Sequence, residues 1–412
     1  MARKKQKISR NIQKYNEITL RYFFRWSEKM KILIVRNYPN YMAVGKNATY
    51  NIQELGLASA LVRAGHICDI VFWTDKEEEI IEYEVPNSKK IIKIYYRNAK
   101  TFLKNAIYLI DDLIQQYDII QPCEYNQLQS YIFAKKYPDK TVIYHGQYFG
   151  KENKKYNLWC SIFDKFGLHV YKKYKTFFIT KSNLAKEYLV KKKLYEPNIY
   201  ALGVGMNRDA LDNANQESNI ICDEIEKIKC DIKLLYVGEF MPRRHLEFIG
   251  DIVKKIGELG YKCKLILIGK SDSEYGSNVK KYFKKIGISK NIFYVERIEQ
   301  RFLSRVYKSC TAFVFPSTYE IFGMVLMEAM FFGIPVISSP NGGSSMLLQN
   351  GENGYIQDEL IVDQWVETIL NIQNEYSKIS MNSKKTIMEK FTWDALVKEF
   401  IDVYESRLNY ED

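Results

Sequence analysis

Residues 316–343 read PSTYEIFGMVLMEAMFFGIPVISSPNGG, with Glu320 and Glu328 eight positions apart and Gly323 between them. What that trio can do depends on Gly323. An apolar strand pattern, FVFPS, ends near Pro316, and Gly323 opens a helix pattern that runs to Phe332 and stops at Gly333. The first turn of a helix carries free N–H groups and the positive end of the helix dipole. With no side chain at Gly323, an anionic ligand can come close to that backbone. Glu320 precedes the helix, and Glu328 lies about 7.5 Å inside it at about 1.5 Å per residue. A single ligand meeting all three is long, anionic in the middle and rich in hydroxyls at both ends. A nucleotide sugar has that layout: diphosphate on the helix N-terminus, sugar on Glu320, ribose diol on Glu328. The alternative makes Glu320 a helix cap and Glu328 a solvated face residue. Against it, the helix MVLMEAMFF is apolar on nearly all sides. A buried carboxylate needs hydrogen-bond partners, and ligand hydroxyls would supply them.

The elements needed to position these residues alternate along the chain from Met30. In the first half, KILIVR (31–36), ICDIVFW (67–73), YDIIQP (117–122), KTVIYHG (140–146), KTFFIT (175–180) and NIYALGVG (198–205) read as strands. Helical patterns follow at 53–66, 126–136 and 182–193. The stretch 206–230 is polar and irregular and reads as a linker, part of it helical in pattern. A second set follows: KLLYVGEF (233–240), CKLILIGK (263–270), NIFYVER (291–297), TAFVFPS (311–317) and IPVISS (334–339), with helices at 245–259, 277–286, 299–309 and 323–332. Two such runs imply an α/β protein with two doubly wound parallel sheets. Ligands in such sheets bind beyond the carboxyl ends of the strands, so facing domains place a cleft between them.

The glutamate stretch resembles the signature of a large family of retaining glycosyltransferases with the GT-B fold, glycosyl transferases group 1, in which the acids are written Glu, seven residues, Glu. The match includes Pro316-Ser317, Glu320, Phe322-Gly323, Glu328-Ala329-Met330, Gly333, Pro335-Val336 and Gly342-Gly343. LLYVGEF followed by Arg243-Arg244 looks like the family's first C-terminal strand and basic turn, LILIG like its next strand, and GENGYI (351–356) like the loop after the signature. The resemblance implies GT-B architecture: two Rossmann-like domains over 30–205 and 231–390, and a helix over 391–412 that crosses back to the N-terminal domain. It implies donor contacts from Gly238, Arg243, Arg244, Lys270, Phe322, Gly323, Met324, Val325 and Glu328, and acceptor-side positions at Gly45 and Tyr50. Catalytic roles fall to Glu320, Arg244 and His145. His145 ends the strand TVIYHG at its carboxyl end, facing the cleft, and in relatives a histidine in this place lies near the reacting sugar. Three departures stand out: Glu239 where the family often has Arg, Arg244 where it usually has Lys, and a single Gly45 where it usually has a glycine pair. Arg243 or Lys270 is then the compensating cation.

The expected activity is transfer of a sugar, with retention, from a nucleotide-diphosphate sugar to a saccharide or lipid-linked acceptor, as in surface polysaccharide synthesis. No D-x-D motif stands near a strand end, so neither a metal nor another cofactor is expected. Four histidines, and seven cysteines with no C-x-x-C pair, argue against a metal centre or a disulfide frame and for free thiols in a cytoplasmic setting. Two other readings are an epimerase or hydrolase of nucleotide sugars on the same fold, and a non-catalytic basic membrane adaptor. Of the net charge of +12, residues 1–30 carry +7, from nine basic and two acidic side chains. The body is thus only mildly basic, and nucleic acid is not an expected partner. Ile8, Ile12, Tyr15, Tyr22 and Trp26 form a helical stripe within the basic extension 1–29. It fits three states: lying on an anionic membrane as a peripheral contact, packing on the body, or disorder.

Overall fold

The computed structural model of the chain describes residues 29–44, 52–151, 153–207 and 219–410. Residues 1–28 of the basic extension, Gly45 and Tyr50, and 208–218 of the polar stretch lie outside the described residues. The architecture is GT-B. In the N-terminal domain, β1 (Lys31–Val35), β2 (Ile67–Trp73), β3 (Glu79–Glu84), β4 (Ile91–Arg97) and β7 (Ile119–Pro122) lie in the order β3-β4-β2-β1-β7. Single bridges, Ile120 with Thr141 and Cys123 with Tyr144, carry that sheet on to β8 (Val142–His145), β9 (Phe177–Thr180) and β10 (Ile199–Ala201). Every pairing is parallel except β3 with β4. Between them, β5 (Lys100–Phe102) and β6 (Asn105–Ile107) make a separate hairpin.

The C-terminal sheet is wholly parallel. Its strands β11 (Ile232–Val237), β12 (Cys263–Ile268), β13 (Ile292–Val295), β14 (Ala312–Phe315), β15 (Val336–Ser338) and β16 (Tyr355–Ile356) run in the order β13-β12-β11-β14-β15-β16. Central strands such as β1 and β14 are buried nearly end to end, because helices cover both faces. That burial is why they read as unbroken apolar runs.

Several segments differ from the sequence reading, among them the helix Lys154–Lys173 and the β5–β6 hairpin, where no element was expected. β3 and β4 fall in a stretch with no strand expected, because the edge strand EIIEYE leaves all three of its glutamates exposed. The polar stretch 206–230 ends in a helix, Ile220–Lys227, that belongs to the second domain. Cys222 and Ile225 on its inner face are fully buried, and Asp223 and Glu226 pair with Arg305 of the helix Gln300–Ser309 at 2.5 and 2.8 Å.

The last helix, Trp393–Leu408, leaves the C-terminal domain and packs on the N-terminal one. Arg63 grips Asp394 with two hydrogen bonds of 2.8 and 2.9 Å, Tyr404 donates to the buried Gln121 at 2.6 Å, and Arg407 reaches Asp139 at 2.9 Å. Trp393 is the wedge. A Cβ on Gly56 would fall 2.3 Å from its ring, and one on Gly205 2.4 Å from it. Among the described residues, no helix is long and apolar enough to cross a membrane.

This contact sets a sign. In an unencumbered helix, Gly56→Ala gains about 1 kcal/mol. Here overpacking against Trp393 should outweigh that gain and cost about 1–3 kcal/mol. Chemical denaturation of Gly56→Ala checks it, and a stabilised variant would show that Trp393 does not fix the last helix.

Candidate functional site

The site begins where β11 ends. Gly238, at φ +151°, turns the chain beside Gly269 at φ +155°, where a Cβ would lie 1.9 Å from the Gly238 carbonyl oxygen. The chain then makes a short turn, Pro242–Arg244, and starts the helix Leu246–Glu258 after His245, which is held at φ +49°. The turn aims both arginines at Glu320, which is 9% exposed. Glu320 Oε1 accepts from Arg243 and from Ser317 Oγ at 2.9 Å, and forms an ion pair with Arg244 Nη2 at 3.0 Å. Arg243 also donates to the Tyr319 carbonyl at 2.5 Å. Arg244 lies over the Phe315 ring at 4.9 Å, and its Nε and Nη1 are buried with no hydrogen-bond partner among the described residues. Burial pulls its pKa below the ordinary arginine value, against the opposing pull of Tyr236 and Glu320. A buried cation with unused donors is built to receive an anion.

The helix Met324–Phe332 starts beside that arginine turn. Its N-cap, Gly323, has φ +75°, and its stop, Gly333, has φ +76°. The Gly342-Gly343 pair packs under the Glu320–Phe322 loop. A Cβ on Gly342 would sit 2.4 Å from the Ile321 carbonyl oxygen, and one on Gly343 1.6 Å from that of Phe322. A cavity of about 290 Å³ opens there, lined by Arg243, Glu320, Gly323 and Met324 from one domain and Gln53 and Lys181 from the other. Gly238 and Lys270 line a neighbouring cavity of about 420 Å³ together with Glu239, Glu296 and Arg297.

The remaining expected residues are placed less simply. Lys270 is 60% exposed and paired with Asp272 at 2.8 Å, so it is not a spare cation at the helix N-terminus. Phe322 lines the 290 Å³ cavity, but its ring also packs against Phe391, with centroids 6.0 Å apart. Val325 is half-buried against the core. Glu328 is 8% exposed, yet its partners are not left to a ligand. Gln300 donates to it at 3.0 Å and Tyr307 at 3.3 Å. Burial raises its pKa to about 7 against the pull of those two bonds. His145 ends β8 but does not face open cleft: it is 0% exposed. Its Nδ1 meets Glu124 at 2.6 Å, its ring stacks on Tyr188 with centroids 6.2 Å apart, and Nε2 is buried without a partner.

Sequence reasoning missed several residues. Glu124 holds φ +60° while its carboxylate takes His145 and the N–H groups of Gly146 (3.2 Å) and Gln147 (3.4 Å). Burial would raise its pKa, but the charge and hydrogen bond of His145, with Lys181 and Gly146, hold it below the usual carboxylate range. Lys181 donates to Gln53 at 3.1 Å and lies over the Tyr144 ring at 4.8 Å. Its only sequence signal is its place just past the carboxyl end of β9. Tyr148 ties the domains: its hydroxyl donates to the Glu320 carbonyl at 3.0 Å and accepts from Gly342 N–H at 3.2 Å, and its ring packs on Tyr319 at 4.5 Å. Among the described residues, no group of three or more His, Cys, Asp and Glu is placed to hold a metal ion.

The fold has parallels among known proteins. The structure superposes on Anabaena Alr3699/HepE, solved in complex with UDP, with a TM-score of 0.68 at 14% identity, over 92% of this chain and 100% of that one. The uncharacterized glycosyltransferase MJ1607 of Methanocaldococcus jannaschii is 24% identical over 370 residues, 85% of this chain and 92% of that protein. A probable sucrose-phosphate synthase of Thermosipho melanesiensis is 32% identical over 168 residues, but that match spans only 40% of this chain and 39% of the relative's length. The model of the family described as glycosyl transferases group 1 matches residues 219–407, which take in both arginines, both glutamates and the crossing helix. The C-terminal part of this chain is a glycosyl transferases group 1 domain, set in a GT-B fold.

Proposed function

We propose that the chain is a retaining, metal-independent glycosyltransferase. It moves a sugar from a nucleoside-diphosphate sugar to a saccharide or lipid-linked acceptor in surface polysaccharide synthesis, at the cytoplasmic face of a membrane. The observation that carries this reading is the Arg243–Arg244–Glu320 cluster beneath the open N-terminus of the helix Met324–Phe332. The donor diphosphate takes the unused Arg244 nitrogens and the helix N–H groups. The sugar extends toward Glu320, and the ribose diol lies toward Glu328, where Gln300 and Tyr307 must share the carboxylate. The UDP bound by HepE supports a nucleoside diphosphate on this fold.

Retention follows if the acceptor attacks on the face that phosphate leaves. The bond from the anomeric carbon to phosphate breaks as the bond to the acceptor oxygen forms, and the departing phosphate oxygen takes the acceptor's proton. The protein's task is then electrostatic: it stabilises charge that grows on the leaving diphosphate. Two arginines at that point supply what a divalent cation otherwise provides. Glu239 subtracts charge from the turn, and Lys181, reaching in from the N-terminal domain, restores it. Nucleoside diphosphate release from UDP-, GDP- and ADP-sugars, with and without saccharide acceptors, tests the activity. The anomeric configuration of the product, read by nuclear magnetic resonance, tests retention.

Two further outcomes are expected. Lys181→Gln should lower turnover at least about tenfold, the scale of one lost charge contact to the transition state, while Lys270→Gln should change it less than about twofold. The reverse order would return the compensating role to Lys270.

The second concerns Glu328. Its folded pKa of about 7 lies above the 4.5 of a free side chain. The stability it contributes is therefore fully present below pH 4.5 and lost as pH rises through about 7. Relative to Glu328→Gln, the unmodified protein should gain about 2–3 kcal/mol of stability between pH 8 and pH 5. A pH-independent difference between the two denaturation curves would show that the Glu328 carboxyl titrates normally.

A further inference from the structure

A second cavity, of about 770 Å³, opens in the N-terminal domain, and no role has yet been assigned to it. Its wall includes Asn126 and Gln127, which are 2% and 6% exposed. Among the described residues, the buried amide oxygens Asn126 Oδ1 and Gln127 Oε1 have no hydrogen-bond partner. Buried acceptors left unpaired are costly, and they call for donors such as ligand hydroxyls. Tyr38, Tyr156 and Trp159 add aromatic surface on which the C–H face of a sugar ring can lie.

The mouth has a different chemistry. Lys104, Lys154 and Lys155 stand exposed around it, and among the described residues no carboxylate lines the cavity. Lys104 is presented at some strain. It and Leu103 form the tip of the β5–β6 hairpin at φ +62° and +44°, a region usually left to Gly, Asn or Asp. The wholly buried Asn105 locks that tip by donating to the Phe102 and Leu103 carbonyls, each at 3.0 Å. Two adjacent non-glycine residues kept left-handed at a cavity mouth fit a functional constraint. The apolar side chains nearby are also bare: Leu103 is 63% exposed, and Leu158, one turn past Lys154, is 64% exposed.

The cavity adjoins the reaction centre. Gln147 lines it and donates its N–H to Glu124, the partner of His145. Asn153 lines it where Gly150 packs on Tyr319, the residue before Glu320. We propose that this cavity is the acceptor subsite and that the acceptor is an anionic saccharide. Its hydroxyls meet Asn126 and Gln127, its ring meets the aromatic wall, and its phosphate or carboxylate meets Lys104, Lys154 and Lys155. The role as acceptor subsite rests on the glycosyltransferase reading; the preference for an anionic saccharide rests on the cavity alone.

Four probes test it with the donor site saturated by nucleoside diphosphate: glucose, glucose 1-phosphate, octyl glucoside and octyl glucosyl phosphate. Binding is read by calorimetry at low salt. Each phosphorylated probe should bind about tenfold tighter than its neutral counterpart, and the margin should shrink in high salt. The exposed triple substitution Lys104→Gln, Lys154→Gln, Lys155→Gln should reduce the margin to about twofold and leave nucleoside diphosphate affinity unchanged. Tighter binding of the octyl phosphodiester than of glucose 1-phosphate assigns the anion to a lipid-linked acceptor beside Leu103 and Leu158; equal binding assigns it to a soluble one. Equal affinity for neutral and phosphorylated probes, or a margin that survives the triple substitution, overturns the proposal. If the unmodified protein binds no nucleoside diphosphate, the donor reading fails instead, and the probe comparison still decides the cavity's preference.

Discussion

Two guanidinium groups are held side by side against an apolar wall, and one carboxylate oxygen keeps them there. Arg244 lies on Phe315 with two of its nitrogens unpartnered, and Arg243 stands beside it. An uncompensated charge in such a place costs several kcal/mol. Glu320 Oε1 meets both arginines and the Ser317 hydroxyl at once. That one carboxylate oxygen balances the charge of both arginines. Under the proposed function it competes with the donor diphosphate for the same two cations, and that competition is the physical core of the account.

Much of the surrounding structure fixes where that oxygen lies. The loop that carries Glu320 rests on Gly342 and Gly343 at distances no side chain allows. Gly342 N–H donates to the Glu320 carbonyl at 3.0 Å, and Tyr148 of the other domain donates to it at 3.0 Å as well. The 290 Å³ cavity is therefore a property of the domain pair. Gln53 and Lys181 enter from one side because the last helix, wedged by Trp393, holds the two sheets in register. The helix N-terminus, the arginine turn and the N-terminal lysine then face one space, on which positive charge converges.

The parallel sheets were legible in the sequence because central strands are buried on both faces and read as apolar runs; ICDIVFW is a strand over just those seven residues. The edge strand EIIEYE was not, because its alternation and exposed glutamates look like solvated chain. At the site, Glu320, Gly323 and the arginine pair were legible from one local stretch and a turn. What pairs with what was not. Gln300 and Tyr307 come to Glu328 from a helix some twenty residues earlier, and Glu124 comes to His145 from the end of another strand. Such partners are set by tertiary packing, and no spacing rule in a single sequence reports them. Lys181 escaped for the same reason, since a lone lysine after a strand carries no pattern.

The competition at Glu320 can be measured directly. Nucleoside diphosphate is titrated calorimetrically into the unmodified protein and into Glu320→Gln, and the melting temperature of each is followed with and without the ligand. If Glu320 stands in for the ligand's anion, the variant melts earlier when empty, because two half-buried cations lose their counter-charge. It should also bind the diphosphate more tightly, and the ligand should restore its melting temperature by more than it raises that of the unmodified protein. Weaker diphosphate binding by Glu320→Gln, with no loss of stability in the empty state, would contradict the account.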